Sequence, residues 1–66
     1  MEKGFVKHLV LERGFGFIEN QGVDIFFHFR DLDGLAFNEQ LMARDVIFEL
    51  KSVGGRNRAV NVRADI

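Results

Sequence analysis

Apolar residues in this chain come in short runs, with glycines as the punctuation between them and no proline anywhere. Two of the runs, Phe15-Gly16-Phe17-Ile18 and Ile25-Phe26-Phe27-His28-Phe29, are apolar on both faces of an extended backbone. Alternate side chains of a strand point to opposite faces. Phe15 and Phe17 therefore share one face, while Gly14, Gly16 and Ile18 share the other. In the second run Phe26 and His28 oppose Ile25, Phe27 and Phe29. A small one-layer sheet can bury only one face in its own core, so the second face, rich in rings, needs a partner from elsewhere.

The same reading predicts five strands, over residues 3–10, 15–19, 24–29, 46–51 and 59–64, with Asn20-Gln21-Gly22 turning the second into the third. Leu11-Glu12-Arg13-Gly14 and Gly54-Gly55-Arg56-Asn57 read as turns. Residues 30–34 read as a short helical turn ending on Gly34, and residues 35–45 as a long connection with room for one turn of helix. In the fourth strand Val46, Phe48 and Leu50 are expected on the core side. In the fifth, Val60 and Val62 are expected on one face, with Asn61 and Arg63 on the other. Phe27 is assigned to the core, while Phe29, at a strand end where the chain can bend, can turn to either side. Five short strands with one long excursion predict an all-β, five-stranded antiparallel barrel.

Sixty-six residues make one domain, spanning 1–66. A domain of about 60 residues buries only roughly 60% of the surface its unfolded chain exposes. Without cysteine, such a fold stands on packing or on oligomerisation rather than on staples. No apolar run approaches the roughly 20 residues of a membrane span and the N-terminus lacks a signal-peptide pattern, so the expected setting is soluble and cytoplasmic. Nine Lys/Arg against ten Asp/Glu give a net charge of −1, which is not the basic balance usual for a phosphate binder. Net charge says little about distribution, however, and a local basic cluster can coexist with acidic residues elsewhere.

Arg13-Gly14-Phe15-Gly16-Phe17-Ile18 followed by Ile25-Phe26-Phe27-His28-Phe29 resembles the paired motifs of the cold-shock domain family, Lys-Gly-Phe-Gly-Phe-Ile and Val-Phe-Val-His-Phe. Gly4-Phe5-Val6-Lys7 matches the family's opening Gly-x-Val-Lys, and Val46 with Phe48, then Asn61-Val62, match later landmarks at compatible spacing. The resemblance covers about the whole chain. It implies an OB-fold barrel that binds single-stranded RNA or DNA, pyrimidine-rich by preference, as an RNA chaperone or cold-shock-type regulator that uses no cofactor. By the same resemblance, Phe15, Phe17, Phe26, His28 and Phe29 fill the stacking positions and Phe37 is the aromatic of the loop after the third strand. Lys7 and Arg13 flank the platform, and Asp24 can accept a base hydrogen bond. Two departures stand out. His8-Leu9 replaces the family's usual Trp-Phe, reducing two rings to one imidazole, and Arg56-Asn57-Arg58 replaces a common Gly-Pro pair.

These residue types suit the chemistry. Single-strand binders pair an aromatic platform with a groove tolerant of phosphate charge, and stacking is worth about 1–3 kcal/mol per base by alanine substitution. Lys3, Lys7, Arg13, Arg30, Arg56 and Arg58 are candidates for backbone contacts, Lys7 and Arg13 foremost, and His8 and His28 for the ligand face. Catalysis finds no support: the single serine, Ser52, has no recognisable setting, and the carboxylates are scattered across turns. Gly14-x-Gly16 lacks the remainder of a dinucleotide fingerprint, and His8 with His28 lacks two further ligands for a metal. A competing expectation is a protein-interaction module on the same barrel, motivated by the −1 charge and the lost rings. A monomer is expected under the first reading, and a face-to-face or strand-exchanged dimer under the second.

Overall fold

The structure is a computed structural model describing all residues, Met1–Ile66. Five strands, β1 (Glu2–Val10), β2 (Phe15–Asn20), β3 (Val23–His28), β4 (Asp45–Val53) and β5 (Arg56–Ala64), close into a barrel in the order β1-β2-β3-β5-β4. Every seam is antiparallel except that between β3 and β5, where Phe26 pairs with Arg58 in parallel. The long excursion between β3 and β4 holds two short 3-10 turns, Phe29–Asp31 and Glu39–Leu41, in place of any longer helix. His28 and Asn38 cap them, each side chain accepting a backbone N–H two residues on.

The core is a single cluster of Val6, Ile18, Ile25, Phe27, Leu41, Val46, Phe48, Ala59 and Val62. Alternation accounts for most of it: Gly16 and Ile18 of β2, and Ile25 and Phe27 of β3, point inward. Two strand-face expectations fail. Val60 and Val62 do not share a face, because Asn61 takes a left-handed backbone with φ 52° and the β4–β5 register slips at that point. The extra residue breaks the alternation, so Ala59 and Val62 enter the core while Val60 is half-buried. Leu50 keeps 43% exposure, because β4 and β5 run on past the core as a two-stranded arm whose residues 49–57 are all exposed. The turn of that arm is also tighter than expected. Val53 pairs with Arg56, leaving a two-residue Gly54-Gly55 loop with φ of 59° and 81°, the doubly positive geometry that favours glycine in hairpins.

Gly16 marks a tight point of the barrel wall, against the core. A Cβ there would lie 2.6 Å from the His8 carbonyl oxygen and 2.9 Å from the Phe27 ring. Gly16→Ala should therefore cost about 3 kcal/mol, the upper range for overpacking a well-filled core, measured by urea denaturation. A loss under about 0.5 kcal/mol would show that the Phe27 ring can shift freely.

Candidate nucleic-acid interface

Because Gly16, Ile18, Ile25 and Phe27 fill the barrel, the intervening residues of β2 and β3 must face out. Phe15 lies across from His28, and Phe17 from Phe26. Their rings form a connected strip. Phe15 and Phe26 have centroids 5.6 Å apart at 34°, Phe15 and Phe17 meet edge-on at 6.0 Å, and Phe17 and Phe26 at 6.1 Å. All three are half-buried, so each covers the barrel wall with one side and offers the other to solvent. His8 extends the strip beyond Phe17, at 6.4 Å.

Past His28 the chain turns, and Phe29 belongs to the 3-10 turn rather than to β3. Its ring stacks 4.5 Å from His28, lies 6.2 Å from Phe37 and stays 46% exposed. Gly14, with φ +79°, makes room for it, since a Cβ there would lie 2.9 Å from the Phe29 ring. Phe37 is half-buried against the core, 6.4 Å from Phe27. It bridges the inner ring and the outer strip.

The predicted basic positions differ in how free they are. A register shift between Val6 and His8 makes Lys7 the extra residue of β1, which turns Lys7 and His8 both to the solvent side while Val6 enters the core. Lys7 Nζ then lies 3.2 Å from both Glu19 and Asp24 carboxylates. Hydrogen bonds from Lys7 to Asp24, then to Glu19, raise its pKa above the ordinary lysine value. Arg58 donates from Nε to Asp31 Oδ2 at 2.9 Å and from Nη2 to Oδ1 at 3.2 Å, and its guanidinium sits 5.9 Å from the centre of the Phe26 ring. Arg13, in the turn before Gly14, is exposed and outside these ion pairs.

Asp31 was absent from the expected site, yet it organises one end. Besides binding Arg58, its Oδ2 accepts the His28 N–H at 2.8 Å, and His28 Nδ1 accepts the Arg30 N–H at 3.3 Å. The available signal was its position three residues after a capping residue. Asn57 and Val53 were also missed as site residues, and Arg56 was expected only as a backbone contact. With Phe17, Asp24, Phe26 and Arg58 they line a cleft of about 430 Å³ between the ring strip and the β4–β5 arm.

A ring strip on an exposed barrel face, edged by charge, is an arrangement that binds rather than transforms, and comparison with known proteins agrees. The model of the 'Cold-shock' DNA-binding domain matches residues 2–64. This chain belongs to the cold-shock domain family. Among its relatives, cold shock protein CspB of Geobacillus stearothermophilus is 36% identical over 63 residues, covering 94% of this chain and 96% of the relative. Cold shock protein CspC of Bacillus subtilis is 36% identical over 64 residues, covering 96% and 97%. In fold, the chain is similar to the solved structure of drosophila Unr CSD456, with a TM-score of 0.78 at 22% identity, covering 98% of this chain and 26% of that one. The family is one of nucleic-acid binders on an OB-type barrel, not of enzymes.

Two predictions rest on the cold-shock domain's ion pairs. In a double-mutant cycle of Asp31→Asn and Arg58→Gln, urea denaturation should give a coupling of about 1–2 kcal/mol, whereas additive losses would show the pair to be inert. Lys7 contributes through a raised folded pKa, so its effect is fully present below the ordinary value of 10.5 and is lost as pH rises through the folded value. An NMR titration of the Lys7 ammonium should show it moving back toward 10.5 in the Glu19→Gln, Asp24→Asn double variant. An unmoved titration would mean the carboxylates are not its cause.

Proposed function

We propose that this cold-shock domain holds single-stranded RNA or DNA by stacking bases on Phe15, Phe17, Phe26, His28 and Phe29, with His8 and Phe37 closing the two ends. The single observation that carries this reading is the connected strip, whose neighbouring rings from His8 through Phe17, Phe26 and Phe15 lie between 5.6 and 6.4 Å apart. Stacking of this kind accepts every base, and its preference for pyrimidine-rich strands follows from their flexible, weakly self-stacked backbone. A strand laid along the strip is kept unpaired, which is the action of an RNA chaperone or cold-shock-type regulator in the cytoplasm. A monomer suffices, because the strip lies on one barrel face.

Lys7 and Arg58 are tied to carboxylates, whereas Arg13, Arg30 and Arg56 are exposed and outside the ion pairs. Single-strand binding loses about 0.7 in log K per tenfold rise in salt for each phosphate neutralised. With Lys7 and Arg58 beside the strip already answered by carboxylates, the domain should show a shallow salt slope, with stacking supplying most of the affinity.

Titration of fluorescein-labelled oligothymidine by anisotropy tests this. Phe17→Ala should weaken binding roughly 5- to 100-fold, the equivalent of losing one stacked base, while circular dichroism shows the barrel intact. Unchanged affinity would remove Phe17 from the platform. A folded wild type that binds no strand even at low salt would favour a protein partner for the same face.

A further inference from the structure

The cleft beside the ring strip differs chemically from the rest of the face. Elsewhere the strip offers rings alone, which do not discriminate between bases. In the cleft, Phe17 and Phe26 form an aromatic wall, Asp24 supplies a carboxylate, and Arg56 and Asn57 face them from the β4–β5 arm. Asp24 belongs to the same face as Phe26, two residues on along β3, and is exposed. Lys7 engages its Oδ1 at 3.2 Å, so Oδ2 and the second lone pair of Oδ1 are open to further donors.

Arg58 does not serve as a reader here. Its fork is taken up by Asp31, which is only 10% exposed in its side chain, and this fixes the guanidinium against the Phe26 ring as part of the wall. Arg56, exposed and outside the ion pairs, brings a second guanidinium to the opening. One small site thus presents an aromatic surface, an acceptor-only group and a donor-only group.

Every base can stack and make one bond to each charged group, but guanine alone offers paired donors to the carboxylate and paired acceptors to the guanidinium. Its Watson–Crick edge carries two adjacent donors, the N1–H and the 2-amino group, for a carboxylate, and its O6 and N7 are the acceptors an arginine takes as a fork. Uracil and thymine offer a single donor between two acceptors, and cytosine and adenine offer only their exocyclic amine. We infer that the cleft bounded by Phe17, Phe26, Asp24 and Arg56 is a guanine-selective subsite, so that this domain favours one guanine set within an otherwise pyrimidine-rich strand. The inference rests on the stacking platform proposed above and adds a sequence-reading position to it. The Arg56-Asn57-Arg58 segment that builds its outer wall stands where the family commonly has Gly-Pro.

The test uses four short fluorescein-labelled oligonucleotides: all thymidine, and the same strand with its central base replaced by guanine, hypoxanthine or adenine. Wild type should bind the guanine strand roughly 5- to 10-fold tighter than all-thymidine, the lower range for one bidentate base contact. Hypoxanthine, which lacks the 2-amino group, should fall between them, and adenine should show no gain. Asp24→Ala also removes one of the two carboxylates that hold Lys7 and so alters attraction to every strand alike. The decisive readout is therefore the guanine-to-thymidine ratio, which should fall to about one, and Arg56→Gln should lower it too. Equal binding of all four strands by the wild type, equal binding of guanine and hypoxanthine, or a ratio that survives Asp24→Ala would overturn the guanine assignment while leaving the platform standing. No binding of any strand by the folded protein would overturn both.

Discussion

The Phe27 ring fills the space that a side chain on Gly16 would need, and the character of the binding face depends on that exchange. With Phe27 fully buried against a bare glycine on the neighbouring strand, β2 and β3 can approach closely and keep Ile18 and Ile25 in the same core layer. Alternation then leaves Phe15, Phe17, Phe26 and His28 no direction but outward. Burying each of these rings would stabilise the fold by roughly 1.5–3 kcal/mol. Half-burial leaves part of that driving force unspent on the surface, where a stacked base can collect it. The β1 bulge acts on the same face, turning His8 and Lys7 together onto the solvent side.

Charge is arranged to hold the site in shape more than to attract. Lys7 lies between two carboxylates, and Arg58 is clamped by Asp31, which also fixes the backbone of His28. Both cations sit beside the strip, yet most of their charge is already answered within the protein. This resolves the apparent conflict between a −1 chain and a nucleic-acid-binding family. In the proposed reading rings carry the contact, while Arg13, Arg30 and Arg56 are left outside the ion pairs at the margins.

Most of the barrel was legible because its strands obey simple alternation. All five strands, the glycine breaks and five core residues, Ile18, Ile25, Phe27, Val46 and Phe48, follow from period-two patterning. The sequence misleads where alternation is interrupted. Nothing local to Asn61 announces a left-handed backbone in mid-strand, so Val60 and Val62 look equivalent when they are not. Leu50 looks like a core residue because the extent of the β4–β5 arm depends on where the rest of the barrel ends, a non-local fact. The ring strip could be read from alternation together with the family resemblance. The cleft could not, since Asp24 and Arg56 are far apart in sequence and meet only when the β4–β5 arm folds back beside β3. Asp31 was hidden for the same reason: its partner Arg58 is 27 residues away.

The most direct test of the stacked-platform claim is an NMR titration of the unlabelled wild type with oligothymidine, following aromatic ring protons. The rings of Phe15, Phe17 and Phe26 should shift upfield together and saturate at one affinity, while the buried rings of Phe27 and Phe48 stay nearly still. Saturating shifts confined to surface lysines and arginines, with those three rings unmoved, would show that the strand is held by charge and that the aromatic face is not the site.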